Sequence, residues 1–143
     1  MAEVDPTRGH VLHVEDDAAV AGSVALLLRR AGFEVDNAPD GEAALRRIVD
    51  EGLRPDVLIV DFALAGEMDG CDTAEAICRA LGGPRPTIVL SGVLSDAALP
   101  WLPGAPLWPM PKTVCPEELV RAVELFCSLQ RGRPARAAAD HAR

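Results

Sequence analysis

The feature that most constrains this chain is a regular alternation of two hydrophobic periods along its length. Strand-like runs occur at HVLHV (10–14), FEVDN (33–37), DVLIV (56–60), PTIVL (86–90) and PLWPM (106–110). The third and fourth are short, continuous and β-branched, the pattern of strands buried on both faces of a parallel sheet. Helical spacings lie between them. In 18–31, Val20, Val24, Leu27 and Ala31 recur on one face. In 40–51, Leu45, Ile48 and Val49 share a face, with Asp40 placed to cap the N-terminus. In 72–82, Asp72 and Glu75 have capping-box spacing. In 116–129, Pro116 suits the first helical position, and Leu119, Ala122, Val123 and Phe126 line one side. The weakest helical pattern, 94–102, is interrupted by Pro100. Strand and helix thus alternate five times, which predicts an α/β fold: a parallel sheet, right-handed crossovers and helices on both faces.

With 143 residues there is room for one such domain. We expect a short extension over 1–8, the folded body over 9–128, and a polar, Ala/Arg-rich tail over 129–143 that is disordered. The net charge is −8, and the sixteen residues from Ser128 hold four arginines and one acid, so the body is more acidic still. Such a body repels phosphate backbones, and no direct DNA binding is expected. Apolar runs are too short to cross a membrane and the N-terminus lacks an apolar stretch, so no membrane association and a cytoplasmic location are expected. The four cysteines show no metal or redox spacing; Cys71 and Cys78, seven apart, should be small core residues on one helix face. His10 and His13, near the first strand, read as structural rather than catalytic.

In a parallel α/β sheet, ligands sit at the carboxyl ends of the strands. The first strand runs into Glu15-Asp16-Asp17, the third into Asp61, the fourth into Ser91-Gly92 and the fifth into Lys112, the only lysine of the chain. The second ends in Asn37-Ala38-Pro39, with nothing reactive. Several carboxylates at one edge cannot all ionise side by side without a counter-charge. A hard divalent cation with oxygen ligands, Mg²⁺ above all, would supply it. An ammonium and a hydroxyl nearby would suit the oxygens of a transferred phosphoryl group.

The stretches VLHVEDD, PDVLIVDFALAGEMDG, TIVLSG and MPKTVCPEELVRAV, taken in this order, resemble the receiver domain of bacterial two-component response regulators over roughly residues 9 to 128. The resemblance implies a flavodoxin-like, doubly wound five-stranded sheet of order 2-1-3-4-5. It implies that Asp61 is the phosphoacceptor, and that Ser91 and Lys112 contact the phosphoryl oxygens. Mg²⁺ would be held by Glu15, Asp16, Asp61 and the backbone carbonyl of Ala63. The phosphoryl donor would be a histidine kinase or a histidine phosphotransfer protein. Because no output domain fits in the remaining residues, a stand-alone receiver is expected. It would be a signalling module rather than an enzyme, acting on a downstream protein partner, with a homodimer through the fourth and fifth helical segments as a further possibility.

Three positions depart from the family pattern. Thr113 stands where a proline usually follows the lysine, and a trans bond is expected there because a cis bond before a non-proline residue costs about 2.5–4 kcal/mol. Pro109 occupies the usual place of an aromatic, and Trp108, one residue earlier, should face the other side of its strand. The segment after Asp61 is one residue longer than the commonest form. The alternative is therefore a degenerate receiver, a constitutive interaction module without phosphoryl turnover. A Mg²⁺-dependent phosphohydrolase would need an acid or base two residues beyond Asp61, where Ala63 stands.

Overall fold

The computed structural model describes residues 8–64, 66–92 and 107–132. In chain order these form β1 (His10–Val14), α1 (Ala18–Arg30), β2 (Glu34–Ala38), α2 (Gly41–Glu51), β3 (Val57–Asp61), α3 (Gly70–Leu81), β4 (Thr87–Ser91), β5 (Leu107–Pro111) and α4 (Pro116–Arg131). The expected helix at 94–102 lies outside the described residues, as do residues 133–143 of the expected tail; Leu129, Gln130 and Arg131 of that tail instead form the last turn of α4, where Arg131 reaches Asp56 at 3.3 Å. All strand pairs are parallel, in the order β2-β1-β3-β4-β5, the flavodoxin-like arrangement. Strands β2 to β5 each lie one residue further along the chain than the hydrophobic runs suggest, so Asp61 and Ser91 belong to their strands rather than following them.

Alternate side chains of the central strands feed two cores, as the period of two requires. Leu12, Val14, Leu58, Val60 and Val89 pack with Ala44 and Ile48 of α2 and Ala74 and Ile77 of α3. Val11, Val57, Ile59, Ile88 and Leu90 pack on the other face with Ala25 and Leu28 of α1 and Leu119, Val123 and Cys127 of α4. Every residue of β3 and β4 is buried, which explains why these two strands are uninterrupted apolar runs up to their last residue. Cys71 and Cys78 are both buried, as their spacing predicts. Strand β5 lies at an edge, where Pro109 and Pro111 remove no hydrogen bond that a further strand would need.

Helix starts are set largely by local chemistry. The Asp17 carboxylate accepts from the backbone N–H groups of Ala19 and Val20 at 2.9 and 3.2 Å, and Asp40 accepts from Ala43 at 2.8 Å. Helix α3 begins two residues before the expected position. Its cap is Asp69, which accepts from the Asp72 N–H at 2.8 Å, so Asp72 lies in the first turn instead of starting the helix. Gly70 is the first residue of that helix, and its N–H donates to the Phe62 carbonyl at 3.1 Å. A Cβ at Gly70 would collide with the Asp61 carbonyl oxygen and lie 3.0 Å from Phe62 Cα. Only glycine lets α3 sit this close to the end of β3.

Candidate functional site

The parallel sheet carries Glu15, Asp61, Ser91 and Lys112 to one edge. Asp61, the last residue of β3, is 2% exposed. Its Oδ2 accepts from Lys112 Nζ at 2.8 Å, and its Oδ1 accepts from the Ala63 N–H at 3.2 Å. Lys112 follows β5, and its backbone N–H donates to the Ser91 carbonyl at 2.9 Å. This bond ties the ends of β4 and β5 together, bringing the ammonium toward Asp61 although 51 residues separate them in sequence. Hydrogen bonding to Asp61 is the chief reason the Lys112 ammonium titrates above its usual range, and the Asp61, Glu15 and Asp16 charges add to it.

The carboxylate oxygens of Glu15, Asp16 and Asp61 come within 4.8 Å of one another. Asp16 is exposed, whereas Glu15 is 3% exposed. Burial raises the Glu15 pKa, a bond from the Asp17 N–H opposes this, and the Asp61 charge reinforces it. Its Oε1 is buried and has no hydrogen-bond partner among the described residues. An orphaned buried oxygen and three convergent carboxylates, offset by a single ammonium, form a donor set that fits a hard divalent cation. Asp17, by contrast, caps α1 and stands outside the cluster. Ala63 contributes its N–H to Asp61, while Ser91 is 8% exposed at the end of β4.

Two features were not foreseen. His13 lies inside β1, as the run at 10–14 predicts, but it is 0% exposed and neither ring nitrogen has a partner among the described residues. Burial lowers its pKa to about 4; the Lys112 charge contributes in the same sense, and the Asp61 charge opposes both. The ring is therefore neutral at physiological pH, a polar group held in an apolar layer. The sequence signal was its place between Leu12 and Val14 in a strand covered on both sides. The second feature is Gly70, whose close approach fixes the backbone of Asp61 and Phe62.

The departures also resolve. The Lys112–Thr113 bond is trans, as are all peptide bonds among the described residues. Trp108 pairs in register with Ile88, and its ring meets Phe126 of α4 edge-on with centroids 6.1 Å apart. Pro109 pairs with Val89, whose side chain belongs to the opposite core. No bulge returns Trp108 to the face its neighbour occupies.

Comparison with known proteins matches this geometry. A family model described as the response regulator receiver domain matches residues 11–100. The DNA-binding response regulator MtrA of Mycobacterium tuberculosis is 32% identical over 120 residues, covering 84% of this chain and 51% of MtrA. The transcriptional regulatory protein PrrA of the same organism is 39% identical over 85 residues, covering 59% of this chain and 35% of PrrA. Among solved structures, the receiver domain of the hybrid histidine kinase CckA superposes with a TM-score of 0.67 at 31% identity, covering 83% of this chain and 99% of that one. The N-terminal domain of a three-domain response regulator from Carboxydothermus hydrogenoformans gives 0.72 at 28% identity, covering 87% and 98%. The chain spans about half the length of the curated relatives it matches.

These relatives overturn the expectation that DNA binding is excluded. MtrA is a DNA-binding protein despite its likeness to this acidic chain. The charge of a receiver body bears on that body alone, and the matched region is only half of MtrA, so the acidic balance was the wrong quantity from which to exclude DNA. What the fold, the clustered carboxylates and these likenesses establish together is that this chain belongs to the response regulator receiver domain family of two-component signalling.

Proposed function

We propose that this chain accepts a phosphoryl group from a histidine kinase onto Asp61 in a Mg²⁺-dependent reaction, and signals through the change in charge at that edge of the sheet. The observation that carries the proposal is the 2.8 Å contact between Lys112 Nζ and a nearly fully buried Asp61 carboxylate, set beside Glu15 and Asp16. Asp61 Oδ would attack phosphorus as the bond from phosphorus to the donor's imidazole nitrogen breaks, and that nitrogen regains a proton. Glu15, Asp16 and Asp61 are the residues that would hold Mg²⁺, with the Ala63 carbonyl expected as a further ligand. When bound, the ion neutralises the carboxylates and the charge on the phosphoryl oxygens. Lys112 would exchange its partner from the Asp61 carboxylate to a phosphoryl oxygen, and Ser91, at the end of the adjacent strand, would bond another. The acyl phosphate is a signalling state, which makes the chain a phosphoprotein module rather than an enzyme acting on free substrate. Family membership supports a cytoplasmic setting.

A constitutive, non-phosphorylated module is favoured by one observation, the packing of Trp108 against Phe126 on the face opposite the usual aromatic position. The two readings separate by intact-protein mass after incubation with a small acyl-phosphate donor and Mg²⁺. The proposal predicts one phosphoryl adduct on the natural protein, none on Asp61→Asn and none with a chelator present. Equal adduct formation on Asp61→Asn, or none on either protein with Mg²⁺ bound, would refute it.

A further inference from the structure

A second cluster of ligating atoms lies at the other end of the sheet. His10 opens β1 and Glu34 opens β2, and the two are partners in the parallel register. Asp36 is two residues further along β2, so its side chain emerges on the same face as that of Glu34. One ligand atom from each of the three residues lies within 4.8 Å of the others. His10 Nε2 is 2.6 Å from Asp36 Oδ2. Two paired strands hold all three residues, and the Asp56 carboxylate fixes the start of β1 by accepting from the His10 backbone N–H at 2.9 Å.

The second coordination layer is also present. Arg47 of α2 reaches Asp36 Oδ1 at 3.0 Å and Glu51 at 3.2 Å. It therefore orients the Asp36 carboxylate through one oxygen and leaves the other turned toward His10, as groups that support metal ligands commonly do. Arg47 does not neutralise the whole cluster. Glu34 has no ion pair among the described residues, so its carboxylate faces His10 and Asp36 without a cation of its own.

We propose that His10, Glu34 and Asp36 form a binding site for a borderline divalent cation of the zinc type. The site lies about 13 Å along the strands from the phosphoacceptor edge. One imidazole nitrogen and two carboxylate oxygens suit zinc better than magnesium, and three protein ligands leave a position for water. Binding would replace the His10–Asp36 hydrogen bond, with the metal on the Nε2 lone pair and the ring proton of the neutral imidazole carried on Nδ1. Because β2 is an edge strand held in the sheet only by β1, the ion would clamp that edge.

The test is a calorimetric titration of the full chain with zinc chloride in a Cys115→Ser background, which removes the exposed thiol as a competing ligand. Cobalt(II) absorption serves as a second readout. We expect one saturable site that survives in Asp61→Asn, weakens at least about ten-fold in Glu34→Gln, and is lost in His10→Ala. The bound cobalt should show d–d bands without a thiolate charge-transfer band. Glu34 is exposed, so Glu34→Gln keeps the test valid should His10→Ala fail to fold. No saturable zinc binding, undiminished affinity in Glu34→Gln, or a site abolished by Asp61→Asn would each overturn the assignment.

Discussion

Replacing Gly70 with alanine should destabilise this protein, although alanine is the better helix former. The added Cβ would press on the Asp61 carbonyl and Phe62 Cα. These are backbone atoms at the end of the most buried strand, and unlike the end of a flexible side chain they cannot turn away. Overpacking of this kind costs about 1–3 kcal/mol. The helical preference of alanine over glycine returns up to about 1 kcal/mol. Because the clash is with backbone atoms that cannot move aside, the cost falls in the upper half of the overpacking range, and the net loss is about 1–2 kcal/mol, or a few degrees of Tm in a chain of this size. Gly22 is the internal control. It lies within α1, is exposed, and an added Cβ would meet nothing within 4 Å. There the same substitution should stabilise by about 0.5–1 kcal/mol. Urea unfolding monitored by far-UV circular dichroism would compare the midpoints of the two variants with the natural protein. A Gly70→Ala midpoint equal to or above the natural one would refute the argument. So would a fall of the same size in Gly22→Ala, which would point to glycine's backbone freedom instead of close approach.

Other substitutions probe the site and the thiols. Lys112→Met removes the only ammonium facing three carboxylates, so Mg²⁺ should bind more tightly while phosphoryl transfer slows at least about ten-fold, measured by titration and by adduct formation over time. With iodoacetamide at pH 8, only Cys115 should react in the folded protein, and all four cysteines in urea. Burial pushes the Cys71 and Cys127 thiols to about 11 and about 12 and also raises Cys78, whereas Cys115 is exposed. Alkylation of Cys127 without unfolding would contradict the packing of α4. Asp36 titrates below its unfolded value in the folded protein, so its contribution to stability is present above the unfolded pKa and is lost as pH falls through the folded one. Asp36→Asn should therefore flatten the acid limb of the stability–pH curve, and an unchanged limb would count against the His10–Asp36–Arg47 group as a stabilising unit.

What could be read from sequence depended on how local its cause is. The cap at Asp40 was legible because a carboxylate and the N–H group it serves lie within three residues. The start of α3 was not. Asp69, Asp72 and Glu75 repeat every third residue, so each pair offers the same local pattern, and the choice is made by the docking of Gly70 on β3. The site was legible because a parallel sheet sends every strand's carboxyl end to one edge, so listing the residues at strand ends amounts to listing neighbours. Trp108 was also legible, since alternation along β5 assigns it a face without knowledge of the partner. His13 was missed because two-sided burial removes the polar face that would normally explain a histidine in a strand. The exclusion of DNA binding failed for another reason: net charge describes the chain at hand and not the kinds of protein that carry such a domain.

The hydrogen bond from the Lys112 N–H to the Ser91 carbonyl has a consequence for how such a module can diverge. The two residues that would recognise an incoming charge are twenty-one positions apart in sequence, yet their spacing in the fold is set by the pairing of β4 with β5. The spacing is therefore a property of strand register rather than of sequence distance. A change that preserves the register of β4 and β5 preserves the reach of the ammonium, and one that slips it by a residue turns the site's own groups away.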